Sequence, residues 1–127
     1  MKVMKDAFYT EDHEWIKVDG NVGTIGLADH AQDQLGDIVY VELPEVDDEI
    51  DKGEDFAAVE SVKAASDVFM PVSGKVIEVN EDLIDEPELL NKDAFANWII
   101  KVEMSDQDEL KELMTSEEYE KFLAEEE

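Results

Sequence analysis

The stretch Glu60-Ser61-Val62-Lys63-Ala64-Ala65-Ser66-Asp67 separates two apolar, strand-forming runs, Phe56-Ala57-Ala58-Val59 before it and Val68-Phe69-Met70-Pro71-Val72 after it. Strand formers leading into and out of a short polar segment specify a hairpin, so this part of the chain is committed to β structure. The hairpin spans about residues 55–72 and places Lys63 among small side chains at its tip. Read alone, Lys63 is either an ordinary solvated turn residue or an amine displayed for attachment.

Short strands with turn punctuation continue on both sides. Trp15-Ile16-Lys17-Val18 alternates, Asp19-Gly20-Asn21 turns, and Val22-Gly23-Thr24-Ile25-Gly26-Leu27 returns, which is a second hairpin signal. Ala28 to Leu35 predicts a short helix with Asp29 as N-cap and Gly36 as its stop. Asp37 to Leu43 is β-branched and aromatic and predicts a core strand that Pro44 ends, because proline cannot donate to a ladder. Lys75 to Asn80 predicts a half-buried strand and Trp98 to Met104 a last one, with a short helical piece beginning near Pro87 between them. Strand, Pro44 and the Gly53 turn on one side of Lys63 mirror Pro71, the Gly74 turn and strand on the other, which suits a small flattened barrel or sandwich.

The tail turns helical over about residues 105–124. Ser105-Asp106-Gln107-Asp108 approximates a capping box, and Thr115-Ser116-Glu117-Glu118 matches one more closely. Leu110, Leu113 and Met114 share one face and Tyr119, Phe122 and Leu123 another, the spacing of helices packed on a core. Glu125-Glu126-Glu127 is expected to fray.

A chain of 127 residues with 43% hydrophobic content has room for one domain. The net charge of -26 repels a phosphate backbone, which argues against a nucleic-acid partner. That charge either steers association with basic protein surfaces or is simply a solvated acidic surface. No apolar run approaches the length of a membrane span and Met1 to Asp6 lacks an apolar leader, so a cytoplasmic protein without a membrane partner is expected.

Candidates for catalysis are few. There is no cysteine, so a thiolate nucleophile, a disulfide or a thiolate metal site is unavailable, and any redox-active sulfur has to arrive with a prosthetic group. His13 and His30 do not form a His-x-x-x-His pair, and each is read as structural or solvated, with no metal site expected. The glycines make no phosphate-binding loop or nucleophile elbow. A carrier needs less: one accessible amine on a rigid tip, and Lys63 meets that demand.

Val59 to Asp67 resembles the lipoyl-lysine hairpin of the glycine cleavage system H-protein family. Tyr9-Thr10-Glu11-Asp12-His13-Glu14-Trp15, the run Ala31 to Pro44, Pro71-Val72-Ser73-Gly74 and Glu78-Val79-Asn80 resemble the same family in the same order. The resemblance implies a mainly β, lipoyl-domain-like barrel-sandwich hybrid with a short internal helix and C-terminal helices, one domain over residues 1–127. It implies lipoate on Lys63, Glu60 as a recognition residue for the lipoate-attaching enzyme, and a cleft for the aminomethyl-loaded arm at Asp12, Glu14, His30, Gln34, Leu35 and Asp67. Carboxylates at Glu14 and Asp67 suit a protonatable amine, through charge-assisted hydrogen bonds.

The implied partners are the P protein, a pyridoxal-phosphate glycine decarboxylase; the tetrahydrofolate-dependent T protein; and the L protein, a dihydrolipoyl dehydrogenase. The chain itself would be a monomeric, non-catalytic shuttle. Several positions depart from the commoner family pattern: Asp12 for serine, Gln34 for histidine, Asp47 and Ala57 for glycines, and Ala94 to Asn97 for a Pro-Tyr start before Trp98. Two alternatives stand beside this reading, a related lipoyl carrier in sulfur oxidation or lipoyl transfer and an unmodified interaction module. A biotinyl carrier would show Met-Lys-Met where this chain has Val62-Lys63-Ala64.

Overall fold

The structure, a computed structural model, describes residues 2–126. Nine strands form two sheets among the described residues. β1 (Phe8–Tyr9), β2 (Glu14–Asp19), β3 (Val22–Leu27), β5 (Glu49–Ile50), β8 (Gly74–Val79) and β9 (Ile100–Met104) make a six-stranded sheet in the order β1-β2-β3-β9-β8-β5. β4 (Ile38–Glu42), β6 (Asp55–Ser61) and β7 (Ala65–Phe69) make the second, with β6 in the middle. All pairings are antiparallel, and neither sheet closes on itself. The architecture is mainly β and compatible with a barrel-sandwich hybrid.

One core cluster joins the sheets. Ile16, Ile25, Val76, Ile100 and Val102 of the larger sheet and Val59 of the smaller are all fully buried. A second cluster gathers Tyr9, Trp15, Ala28, Tyr119 and Leu123, with Phe95 and Trp98 packed against it. Within it Trp15 lies across the strand pair, over its register partner Gly26; a Cβ at Gly26 would stand 2.7 Å from the indole ring. Glycine is required there by the close approach of the ring.

Several expectations are met at finer grain. The Asp19–Val22 turn is a β2–β3 hairpin, α1 covers Asp29–Leu35, and Gly36 stops it with φ 79. Asp29, however, is not the N-cap. Ala28 holds that position without a side-chain bond, and the Asp29 carboxylate instead accepts from the Lys2 backbone N–H at 3.0 Å and the Gln32 amide at 2.8 Å.

β4 differs from the expected core strand. It is an edge strand whose register slips between Ile38 and Tyr40, and that extra residue turns two consecutive side chains outward. Val39 and Tyr40 are 54% and 48% exposed while Ile38 and Val41 are buried. Near Pro87 there are two short helices in place of one, α2 (Asp82–Asp85) and α3 (Leu89–Lys92), anchored by fully buried Leu83 and Leu90.

The helical tail is interrupted. A 3-10 helix (Gln107–Glu112) is capped by Asp106, whose side chain accepts from the Asp108 N–H, so the cap falls one residue after Ser105. Met114 then exchanges both backbone bonds with Tyr9, which takes this residue out of any helix. α4 (Ser116–Glu126) follows a reciprocal capping box: Glu118 N–H donates to Thr115 Oγ1 at 3.3 Å and Thr115 N–H to Glu118 Oε1 at 3.0 Å. The helix runs on through Glu125, where fraying was expected; Glu127 lies outside the described residues. No helix among the described residues is long and apolar enough to cross a membrane.

Candidate functional site

β6 and β7 pair from Ala57↔Val68 up to Glu60↔Ala65, and Val62, Lys63 and Ala64 close the hairpin. Its tip is tightly bonded. Ser61 N–H donates to Ala64 O at 2.7 Å, Ser61 Oγ accepts from the N–H groups of Lys63 and Ala64, and Val62 N–H donates to Asp37 O at 3.0 Å. Lys63 itself is exposed and has no carboxylate partner among the described residues, in a chain where Lys17, Lys52, Lys75 and Lys101 each have one. Glu60 is exposed on β6, opposite Ala65 on one side and Tyr40 on the other.

The Lys63 side chain lies beside the end of α1. A Cβ at Gly36 would stand 3.5 Å from Lys63 Cε and 4.0 Å from its Nζ. Asn91, on α3, fixes this shelf: its amide donates to Gly36 O at 2.8 Å and to Gln32 Oε1 at 3.0 Å, and its Oδ1 accepts from Ile38 N–H at 2.8 Å.

Next to that shelf is a cavity of about 330 Å³, within the range of small-ligand sites. Asp12, Glu14, His30, Gln34, Leu35 and Asp67 all line it. The structure thus brings six residues from three separate segments together. α1 supplies His30 and Gln34 one turn apart, and Ala31 and Leu35 on the neighbouring row. β7 supplies Ser66, Asp67 and Val68, and Val59 of β6 and Leu27 add apolar wall. His13 lines it too, although its sequence context marks it only as structural or solvated.

Glu14 is the buried carboxyl of the site, only 2% exposed. Thr10 Oγ1 donates to its Oε1 at 2.6 Å and Phe69 N–H to its Oε2 at 3.2 Å. Burial pushes its pKa up to about 7 from the ordinary 4.5; the two hydrogen bonds pull against that rise and nearby Asp12 adds to it. A cation entering the cavity would find a carboxyl poised to ionise beside it. Asp67 and Asp12 are exposed at the rim, whereas Leu35, Val59 and Val68 offer an apolar path.

Residues so arranged fit a lipoyl arm. The Lys63 amine, with no carboxylate partner among the described residues, stands beside Gly36 at the end of the helix whose Gln34 and Leu35 line the cavity; the wall has an apolar strip, and its buried acid can meet an amine. Asn91 and His13 carried no local sequence signal for these positions, since both act through contacts with distant segments.

The family model of the glycine cleavage H-protein matches residues 7–126. The chain is 60% identical over 126 residues to the glycine cleavage system H protein of Alkaliphilus oremlandii, covering 99% of each chain. It is 59% identical over 125 residues to that of Carboxydothermus hydrogenoformans, covering 98% of this chain and 96% of the relative. Its fold is similar to the crystal structure of a glycine cleavage system H protein from Mycobacterium marinum, with a TM-score of 0.88, 35% identity, and coverage of 96% of this chain and 99% of that one.

Proposed function

We propose, from the premise that the chain belongs to the glycine cleavage H-protein family, that Lys63 is its point of lipoate attachment and that the cavity beside Gly36 shelters the cargo. The family is one of lipoate-bearing carriers, and the chain is a lipoyl carrier of the glycine cleavage system, acting with that system's other components. One observation carries the residue assignment: an exposed lysine without a carboxylate partner, on a bonded hairpin tip, against the end of the helix that walls the cavity.

When attached, the lipoyl group supplies the sulfur chemistry this cysteine-free chain lacks, carrying the aminomethyl group derived from glycine. The protein's own residues hold, shelter and release. Lys63 binds the arm as an amide, giving up its positive charge. Glu60, three residues earlier, marks the hairpin for the attaching enzyme. Leu35 covers the apolar stem, Glu14 and Asp67 accept hydrogen bonds from the protonated amine, and His30, Gln34 and Asp12 complete the polar wall. Removing the amine from bulk water keeps it from being lost before a partner engages.

In this reading the P, T and L proteins load, unload and reoxidise the arm in turn, and the chain, a single cytoplasmic domain acting as a monomer, performs no turnover alone. Mounting the arm on a stiff base raises the effective concentration of cargo at each partner. The test is intact mass after expression with lipoate, for wild type and Lys63→Ala. A lipoyl increment on wild type alone is expected; none on wild type, or one retained by the variant, overturns the assignment. Glycine-dependent bicarbonate exchange with a cognate P protein then tests the pathway.

A further inference from the structure

The cavity wall is tied to the C-terminal helix through aromatic and imidazole contacts. Tyr119 of α4 is 1% exposed and stacks on Tyr9, with ring centroids 4.2 Å apart and planes within 1°. Its hydroxyl lies 2.7 Å from His13 Nδ1. The His13 ring stacks on His30 at 4.2 Å, and both imidazoles line the cavity. His13 also has φ 67, a left-handed conformation uncommon for a residue with a Cβ. Its backbone is held there by His13 N–H to Thr10 O at 3.2 Å and Ala28 N–H to His13 O at 2.9 Å. Such strain persists only where surrounding structure enforces it, and it gathers at working sites.

We propose that His13 and Tyr119 are positioning residues for the cargo cleft: the Tyr119 hydroxyl fixes the His13 ring, and His13 fixes the orientation of His30 on the cavity wall. The inference rests on the reading of that cavity as the cleft. An imidazole presents a donor or an acceptor according to which nitrogen carries the proton, and the bond made by one ring nitrogen selects the other. The Tyr119 hydroxyl can donate to His13 Nδ1 or accept from it, so it holds the His13 ring in place whichever nitrogen carries the proton and, through the stack, sets how the His30 ring lies on the cavity wall. Tyr119 is 106 positions from His13, so the C-terminal helix belongs to the site as well as to the core.

Tyr119→Phe removes the hydroxyl and keeps the ring stacked on Tyr9. His13→Asn is the second variant, because asparagine tolerates the left-handed backbone. The lipoylated proteins are loaded with glycine and a P protein, freed of it, and followed by intact mass as the loaded form decays. Both variants are expected to shorten its lifetime roughly fivefold, the worth of one hydrogen bond. In Tyr119→Phe lipoylation should stay near wild type and the thermal midpoint should fall by no more than the loss of one buried hydrogen bond explains, and the His30 ring nitrogen signals of its unloaded protein should shift. Lifetimes within twofold of wild type, or unmoved His30 signals, overturn the inference. A wild-type loaded form that decays as fast as the free aminomethylated lipoamide overturns instead the cleft reading, and the inference with it.

Discussion

Lys63 lies beside Gly36 across the gap between the hairpin tip and the end of α1, with Lys63 Cε 3.5 Å from the point where a Cβ at Gly36 would project. An added Cβ would meet the lysine at ordinary van der Waals distance, so the glycine is demanded by its backbone more than by the lysine. At φ 79 and ψ -151 it occupies a region almost confined to glycine. Gly36→Ala is expected to cost about 1–3 kcal/mol in denaturant unfolding, while lipoylation of the folded fraction proceeds at the wild-type rate. Loss of lipoylation without loss of stability would show the contact, and not the backbone, to be what matters.

Glu14 makes stability depend on pH. Its folded pKa of about 7 lies above the ordinary 4.5, so its contribution is fully present below 4.5 and is lost as pH rises through 7. The difference of 2.5 units corresponds to a loss on the order of 3 kcal/mol across that window. Glu14→Gln should flatten this part of the stability profile, read as urea midpoints between pH 4 and 8. Loading the arm with its amine should draw the Glu14 pKa down, detectable by carboxyl carbon titration.

Gly26→Ala would drive a Cβ to 2.7 Å from Trp15. The indole cannot retreat easily, because its Nε1–H donates to Ala94 O at 3.2 Å and the ring is 2% exposed. A destabilisation of about 1–3 kcal/mol is expected, with a change in tryptophan fluorescence. An unchanged midpoint and emission would mean that the ring moves freely.

The Thr115 cap carries the helix that bears Tyr119. Thr115→Ala should cost about 1 kcal/mol and loosen amide exchange along the start of α4. The Thr115 N–H holds the Glu118 carboxyl below its ordinary pKa. That contribution is present above the ordinary value and is lost as pH falls through the lowered one. Unchanged exchange in the variant would show that packing of Tyr119 and Leu123 alone holds the helix.

Much of this arrangement can be read from local pattern. Alternation in Trp15 to Val18, Gly36 after an amphipathic run, and Thr115 with Glu118 are short-range signals, and each is realised. The edge position of β4 is not local: its β-branched composition says strand, but the slip at Val39 depends on pairing with β6. Asp29 satisfied a capping preference that Ala28 displaced, because the Asp29 carboxylate is engaged by Lys2 and Gln32. The six cleft positions came from family resemblance; no periodicity joins Glu14 to Asp67. The sequence marks His13 only as structural or solvated, because its left-handed backbone and its stack on His30 arise only once three segments meet.

The bonded tip of the β6–β7 hairpin has a mechanical consequence. With Ser61, Val62, Lys63 and Ala64 all tied by backbone or hydroxyl bonds, a long tether attached at Lys63 would pivot on a fixed bearing, and its swing would belong to the tether's own torsions. A lever multiplies any wobble at its fulcrum by its length. A stiff fulcrum would therefore confine the far end of such a tether to a shell centred on one point, so that distance from Lys63, more than the orientation of the whole protein, would decide which active sites it could visit.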